Sequence, residues 1–164
     1  MIDLKEIKNN ILKKENFYFL LIIFIIFILD RYSKIQIIKD LNDTVVYIND
    51  FLNFDLIWNT GIGFGLLSSD STLFYNVISG VILTVIVFLI FIGLQSDKYD
   101  KSVFSLIIGG AVGNFYDRAN YSAVPDFIDI HYGNFHWFTF NLADIFISMG
   151  IIAFILKGFF IKNS

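Results

Sequence analysis

Cysteine is missing altogether from this chain of 164 residues, which excludes disulfides, thiolate metal sites and a cysteine nucleophile at once. Proline occurs once, at Pro125, and no Ser/Gly-rich linker or block of like charge interrupts the chain. One compact domain over residues 1–164 is therefore expected. Charge is scarce: 16% of residues, for a formal net charge of -3. That leaves no basic face for phosphates and excludes a nucleic-acid partner. What fills the chain instead is apolar. Hydrophobic residues make up 56% and aromatics 18%, and the mean hydropathy is +0.68, well above an ordinary soluble domain at about 45–50% apolar. Such a composition belongs in a bilayer.

The first apolar run, Phe17 to Leu29, follows Lys13 and Lys14 and resembles a secretory leader in length, but no small-residue cleavage site follows it. As a helix it rises only about 20 Å, short of a hydrocarbon core of about 30 Å. A spanning helix must continue through Asp30 and Lys34 towards Ile38. A second span covers Leu73 to Leu94. A third begins near Val103 and has to include Asn114 and end near Arg118, and a fourth runs from Leu142 to Ile161 with Asp144 in its first turn. The fold class expected is an all-α polytopic membrane protein with four transmembrane helices.

Four spans put both termini on one side. Lys5, Lys8, Lys13, Lys14, Lys98, Lys101, Lys157 and Lys162 all fall there, so that side is cytoplasmic by the positive-inside rule. Two outer loops, about 39–72 and 119–141, follow. The first contains "TVVYI" and "FLNFDLIWN", rich in β-branched and aromatic residues, and predicts a small extracytoplasmic β-element lying on the membrane. "GIGFGLL" after it reads as a re-entrant or interfacial piece, with Trp58 and Phe64 suited to headgroup level.

Ionisable groups inside membrane spans cost at least about 2.5–3.5 kcal/mol each, so they mark sites or structural pairs. Here Asp30, Lys34, Asn114, Asp117, Arg118, Asn141 and Asp144 concentrate near the outward helix ends, and Asp126 and Asp129 in "VPDFIDI" could fold back to the same level. Each has a structural reading too. Asp30 and Lys34 are spaced i, i+4 and can neutralise each other. Gly109 and Gly113 have the spacing of a close helix-packing surface. Asn141 and Asp144 have N-cap to N3 spacing, and a carboxylate there faces the positive end of the helix dipole.

Among the outward acids Asp117, Asp126, Asp129 and Asp144, spacing alone does not choose a pair. Two carboxylates in different environments suit water activation, one taking a proton from water while its protonated neighbour polarises the scissile carbonyl. His131 and His136 lack metal-ligand spacing and read as residues of a solvated loop. A proton-coupled transporter using the same polar groups is the rival reading. It is disfavoured because the second helix and the inner halves of the others offer almost no ionisable group for a path across. A scaffold held together by these polar groups is the third.

The ordered strings "DRYSK", "NTGIGFG", "GGAVGNFYDR", "VPDFIDI" and "FNLAD" resemble lipoprotein signal peptidases (signal peptidase II) along nearly the whole chain. The resemblance implies an intramembrane aspartic endopeptidase of the bacterial cytoplasmic membrane, with its active site near the outer face. Its substrate would be a diacylglyceryl-modified prolipoprotein, cut just before the lipidated cysteine, with membrane lipids as its surroundings and no metal or organic cofactor. It implies catalytic roles for Asp126 and Asp144 and supporting roles for Asp30, Lys34, Asn59, Asn114, Arg118 and Asn141. It leaves open which aspartate starts as base. One departure is Ile62-Gly63 after Asn59-Thr60-Gly61, where the family usually has two small residues.

Overall fold

A computed structural model describes residues 13–41, 44–61 and 72–162; the proposed re-entrant "GIGFGLL" stretch from Ile62 onward, with Phe64 and the Ile62-Gly63 departure, lies outside them. In chain order the elements are α1 (Lys14–Asp40), β1 (Val46–Asn49), β2 (Leu52–Asn59), α2 (Thr72–Gln95), α3 (Lys98–Tyr121), β3 (Val124–Tyr132), β4 (Phe135–Phe140) and α4 (Leu142–Lys162). The four helices fall where the apolar runs predict them. The β-element expected beside the four helices is present and larger than expected: the strands form one four-stranded antiparallel sheet in the order β1-β2-β3-β4. The second outer segment, read from sequence as a loop, supplies half of it. "VPDFIDIHY" pairs in spite of its proline because β4 flanks β3 only from Ile128 onward, so Pro125 near the start of β3 has a partner strand on one side alone, an edge-like position where a missing N–H is tolerated.

α1 continues past Leu29 because its charges do not face outward. Its buried residues Asn16, Phe19, Ile23, Ile26, Asp30, Arg31 and Lys34 recur every three or four positions as a single stripe, and that stripe packs on α3. α3 is the hub, touching α1, α2 and α4. Phe19, Ile23, Ile86, Phe104 and Ile108 form the apolar core where the first three helices meet. Above that core the helices approach more closely. A Cβ at Gly109 would lie 2.7 Å from the Ile26 Cβ, and one at Gly113 would fall on the Asp30 carboxylate, so the glycines let α1 lie against α3 as their spacing predicts.

The segments Asn76–Gln95 of α2 and Leu142–Phe160 of α4 are long and apolar enough to cross a membrane, and Phe88, Phe91, Phe154 and Phe159 lie exposed on them. Such surface in quantity calls for lipid rather than water. α3 ends at Ser122, whose left-handed backbone (φ 53°) lets its N–H reach the Arg118 carbonyl and turns the chain into β3. β4 runs straight into Asn141 and α4. The start of β3 and the start of α4 therefore meet beside the polar end of α3.

Candidate active site

Asn141 sits at the junction of β4 and α4. Its Oδ1 accepts from the Asp144 backbone N–H at 3.1 Å, and its own N–H donates to Asp144 Oδ2 at 3.1 Å, the reciprocal cap that the N-cap to N3 spacing predicts. The third polar group of Asn141, Nδ2, is thereby free to donate to Asp126 Oδ1 at 2.6 Å. One fully buried asparagine thus links two carboxylates that lie 18 positions apart in sequence.

Asp126 is fixed from the other side by Asn59 at the end of β2, whose Nδ2 donates to Oδ2 at 2.9 Å while its Oδ1 accepts from the Gly61 N–H at 2.9 Å. Antiparallel pairing of β2 with β3 sets Asn59 opposite Val124, two residues from Asp126. Strand alternation then turns Asp126, Ile128 and Ile130 to one face and Phe127, Asp129 and His131 to the other. Asp129 therefore leaves the level of Asp126 and Asp144. The Asp126 carboxyl is pushed up from 3.8 to about 6. Burial is the main cause, opposed by the Asn59 hydrogen bond, reinforced by the Asp144 charge, and opposed again by Asn141 and by Lys34.

Asp144 Oδ1 accepts from Asn114 Nδ2 at 2.8 Å, and Asn114 Oδ1 in turn accepts from Lys34 Nζ at 2.8 Å. Lys34 has no exposed surface and divides its other two protons between Asp30 Oδ2 at 2.8 Å and Asp117 Oδ2 at 2.7 Å. The Arg31 guanidinium pairs with the far oxygen of Asp117 and lies 4.7 Å over the Tyr116 ring. Asp30 Oδ1 accepts from the Ala143 N–H at 3.0 Å, tying the first turn of α4 to α1. The i, i+4 pair expected from sequence is thus half of a neutral set of four charges, Asp30, Arg31, Lys34 and Asp117. Asp117 and Arg31 were not legible as its members. The signal for Asp117 was its position three residues after Asn114, on the same face of α3.

Arg118 donates from Nη2 to the Gly61 carbonyl at 3.1 Å and from Nη1 to the Asn114 carbonyl at 3.3 Å, pinning the chain that follows Asn59. Asn59, Asn114, Arg118, Asp126, Asn141 and Asp144 together line a cavity of about 330 Å³. On the other side of Asp144 an apolar groove of about 430 Å³ runs between the sheet and α4, walled by Ile130, Trp137, Phe140, Ile145, Met149 and Ile152. All eight candidate residues named from the sequence therefore fall into one connected set. His131 and His136 differ from expectation: they are strand residues whose rings stack at 5.3 Å, and His136 Nδ1 lies 2.8 Å from Asp129 Oδ2.

Comparison with known proteins points the same way. The family model for signal peptidase (SPase) II, Peptidase A8, matches residues 22–160. A lipoprotein signal peptidase of Pelagibacter ubique is 49% identical over 158 residues, covering 94% of this chain and 95% of that protein. One from Francisella tularensis subsp. novicida is 39% identical over 159 residues, covering 94% and 98%. A solved bacterial membrane enzyme superposes with a TM-score of 0.70 at 28% identity over 85% of this chain and 86% of that one.

Proposed function

The chain belongs to the signal peptidase II family and is an aspartic peptidase of the membrane that acts as a lipoprotein signal peptidase, and from that premise we propose that Asp126 and Asp144 are its catalytic pair. The observation that carries the proposal is the double use of Asn141, which holds Asp144 through its backbone and Asp126 through its side chain at the lining of one cavity. Positioning of this kind, set before substrate arrives, is what acid–base catalysis needs.

In the mechanism, the reactive form is the one in which Asp126 holds the proton, a form that burial favours up to about pH 6, and this acid hydrogen-bonds to the scissile carbonyl. Asp144 takes a proton from the attacking water. The new C–O bond forms as the carbonyl electrons move to oxygen, which Asp126 protonates. Collapse of the tetrahedral intermediate breaks the C–N bond: one hydroxyl returns its proton to Asp126 as the C=O re-forms, and the proton gathered by Asp144 leaves with the amine. Asn59, Asn114 and Asn141 orient the two carboxylates, Arg118 positions the chain at Gly61 just beyond β2 for the substrate backbone, and Lys34 with Asp30 supports Asn114 from beneath.

The substrate in this reading is a lipid-modified prolipoprotein that enters from the bilayer. Its acyl chains lie in the groove between Ile130, Trp137 and Met149, the sheet covers the peptide, and the cut falls before the lipidated cysteine. One domain of four spanning helices holds the site. Both termini face the cytoplasm and the site lies near the outer face of the cytoplasmic membrane, a reading supported by the lysines at the opposite end of the bundle.

Two experiments test this. Purified protein in detergent should cleave lipidated prolipoprotein, and Asp126→Asn and Asp144→Asn should each lower turnover by about 10²–10⁴-fold while insertion into the membrane persists. Near-normal cleavage by either variant sinks the pair. Because the chain has no cysteine, a single one introduced at Ser122 reports topology, and labelling of it from the cytoplasmic face alone would reverse the orientation.

A further inference from the structure

Asp129, His131 and His136 gather on the face of the sheet turned away from Asp126, and no step of the cleavage uses them. Their meeting depends on an irregularity. Ile130 pairs with Phe138 but His131 pairs with His136, so β4 holds one extra residue, Trp137, at that point. The slip sets the two imidazoles side by side across the hairpin, with Asp129 two residues up the same face of β3. The ligand atoms of the three residues all lie within 4.8 Å of one another. Asp129 Oδ2 is 2.8 Å from His136 Nδ1 and 3.7 Å from His131 Nδ1.

The part of the cluster on β3 is buried but not satisfied. Asp129 and His131 are only 3% and 9% exposed. Among the described residues Asp129 Oδ1, His131 Nδ1 and Asn53 Oδ1, on the residue facing Asp129 across the sheet, have no hydrogen-bond partner. Acceptors left bare in this way normally cost about 1–3 kcal/mol each. All three can supply an electron pair to a cation, and none requires a donor from the protein. An open cavity lined by Tyr47, Asp50, His131, Tyr132 and Gly133 leads to the cluster, with the Asp50 carboxylate at its wall.

We propose that this cluster is a binding site for one zinc-type divalent ion, held by an Asp129 carboxylate oxygen, His131 Nδ1 and His136 Nδ1. Two imidazoles and one carboxylate suit such an ion, at bond lengths of about 2.0–2.2 Å. Tetrahedral bonds of that length place ligand atoms about 3.3 Å apart. Most of the adjustment falls on the His136 side chain, which is 58% exposed, with a few tenths of an ångström between Asp129 and His131, now 3.7 Å apart. The ion would clip β3 to β4 near the Gly133 turn. Asp129 stands three strand residues from Asp126, about 10 Å at 3.3 Å per residue, so the site braces the hairpin that carries the apolar groove and takes no part in bond cleavage.

The test uses tag-free full-length protein in detergent, stripped with EDTA and then dialysed against zinc chloride, with metal content and thermal unfolding as readouts. Wild type should take up one zinc per chain and unfold at a higher temperature with zinc than without. His136→Ala and Asp129→Asn, each first shown to be monodisperse, should weaken zinc binding at least ~10-fold, while Asp126→Asn binds as wild type does. Failure of folded wild type to bind zinc stoichiometrically, or undiminished binding by the two ligand variants, overturns the site. Loss of zinc in Asp126→Asn overturns it too, because the ion would then sit at the carboxylate pair. None of these readouts depends on peptide cleavage, so the assignment of Asp126 and Asp144 stands or falls separately.

Discussion

The two ends of the helix bundle use the same chemical groups in opposite ways. At one end Lys98 meets Glu15 at 3.3 Å with both side chains largely exposed, and Lys157 reaches Asp97 and Asp100 at 3.0 and 2.6 Å. Water and salt screen these pairs, and such pairs contribute little to stability. At the other end Asp30, Lys34 and Asp117 have no exposed surface, and each charge is matched by another and by hydrogen bonds. The lesson is that burial converts optional ion pairs into an all-or-none set, because a charge left without its partner in a low dielectric costs far more than the pair gains. The end that accepts that cost is the end where the two candidate catalytic carboxylates are held.

The sharpest way to break the comparison is to remove one member of the buried set. Lys34→Met leaves three charges where there were four, and loss of about 3–5 kcal/mol of stability is expected. Asp30→Asn added to it leaves Asp117 with Arg31, so the double variant should regain part of that loss while cleavage stays low, since Asn114 still lacks its Lys34 donor. Thermal unfolding and cleavage of both singles and the double decide this. Strictly additive losses would show that the four charges do not act as one set.

Next in size is the clamp itself. Asn141→Ala removes the Asp126 hydrogen bond and half of the α4 cap together, and misplacement of the carboxylates should lower kcat by about 10²-fold. Asp129→Asn, on the opposite face of β3, should cost far less. Equal losses from the two in the same cleavage assay would refute the separation of the faces.

A smaller effect is read through pH. Asp126 titrates near 6 in the folded protein, above the ordinary 3.8, so its contribution to stability is complete below about pH 4 and is lost as pH rises through about 6. Asp126→Asn should abolish that decline and leave the variant more stable than wild type at pH 7–8, by an amount on the order of 3 kcal/mol. Because Asn59 donates to the ionised form, Asn59→Ala should move the alkaline limb of kcat/KM upward by about half to one pH unit. A downward movement would assign that limb to another group. The smallest effect belongs to the exposed end, where Lys98→Met and Lys157→Met should leave cleavage unchanged and shift the unfolding temperature only slightly. A loss comparable to that of Lys34→Met would erase the contrast between the ends.

Everything local was already written in the amino-acid order. The placement of four helices, the lysines at one end, the polar residues at one depth, the close α1–α3 approach at Gly109 and Gly113, and the Asn141–Asp144 cap all follow from apolar run length and from spacings of three or four residues on a helix. The motif strings carried the candidate pair, which spacing alone did not choose. The tertiary structure decided what no short spacing encodes. It brought Lys34 to Asp117 across 83 positions and Asn59 to Asp126 across 67, and it made strands of the segment between α3 and α4, where Asp126 and Asp129 part to opposite faces. It also slipped β4 by the one residue that sets His136 across from His131. These depend on strand register and on how α1 is rotated against α3, and both are settled by which buried groups can satisfy one another once the chain is packed.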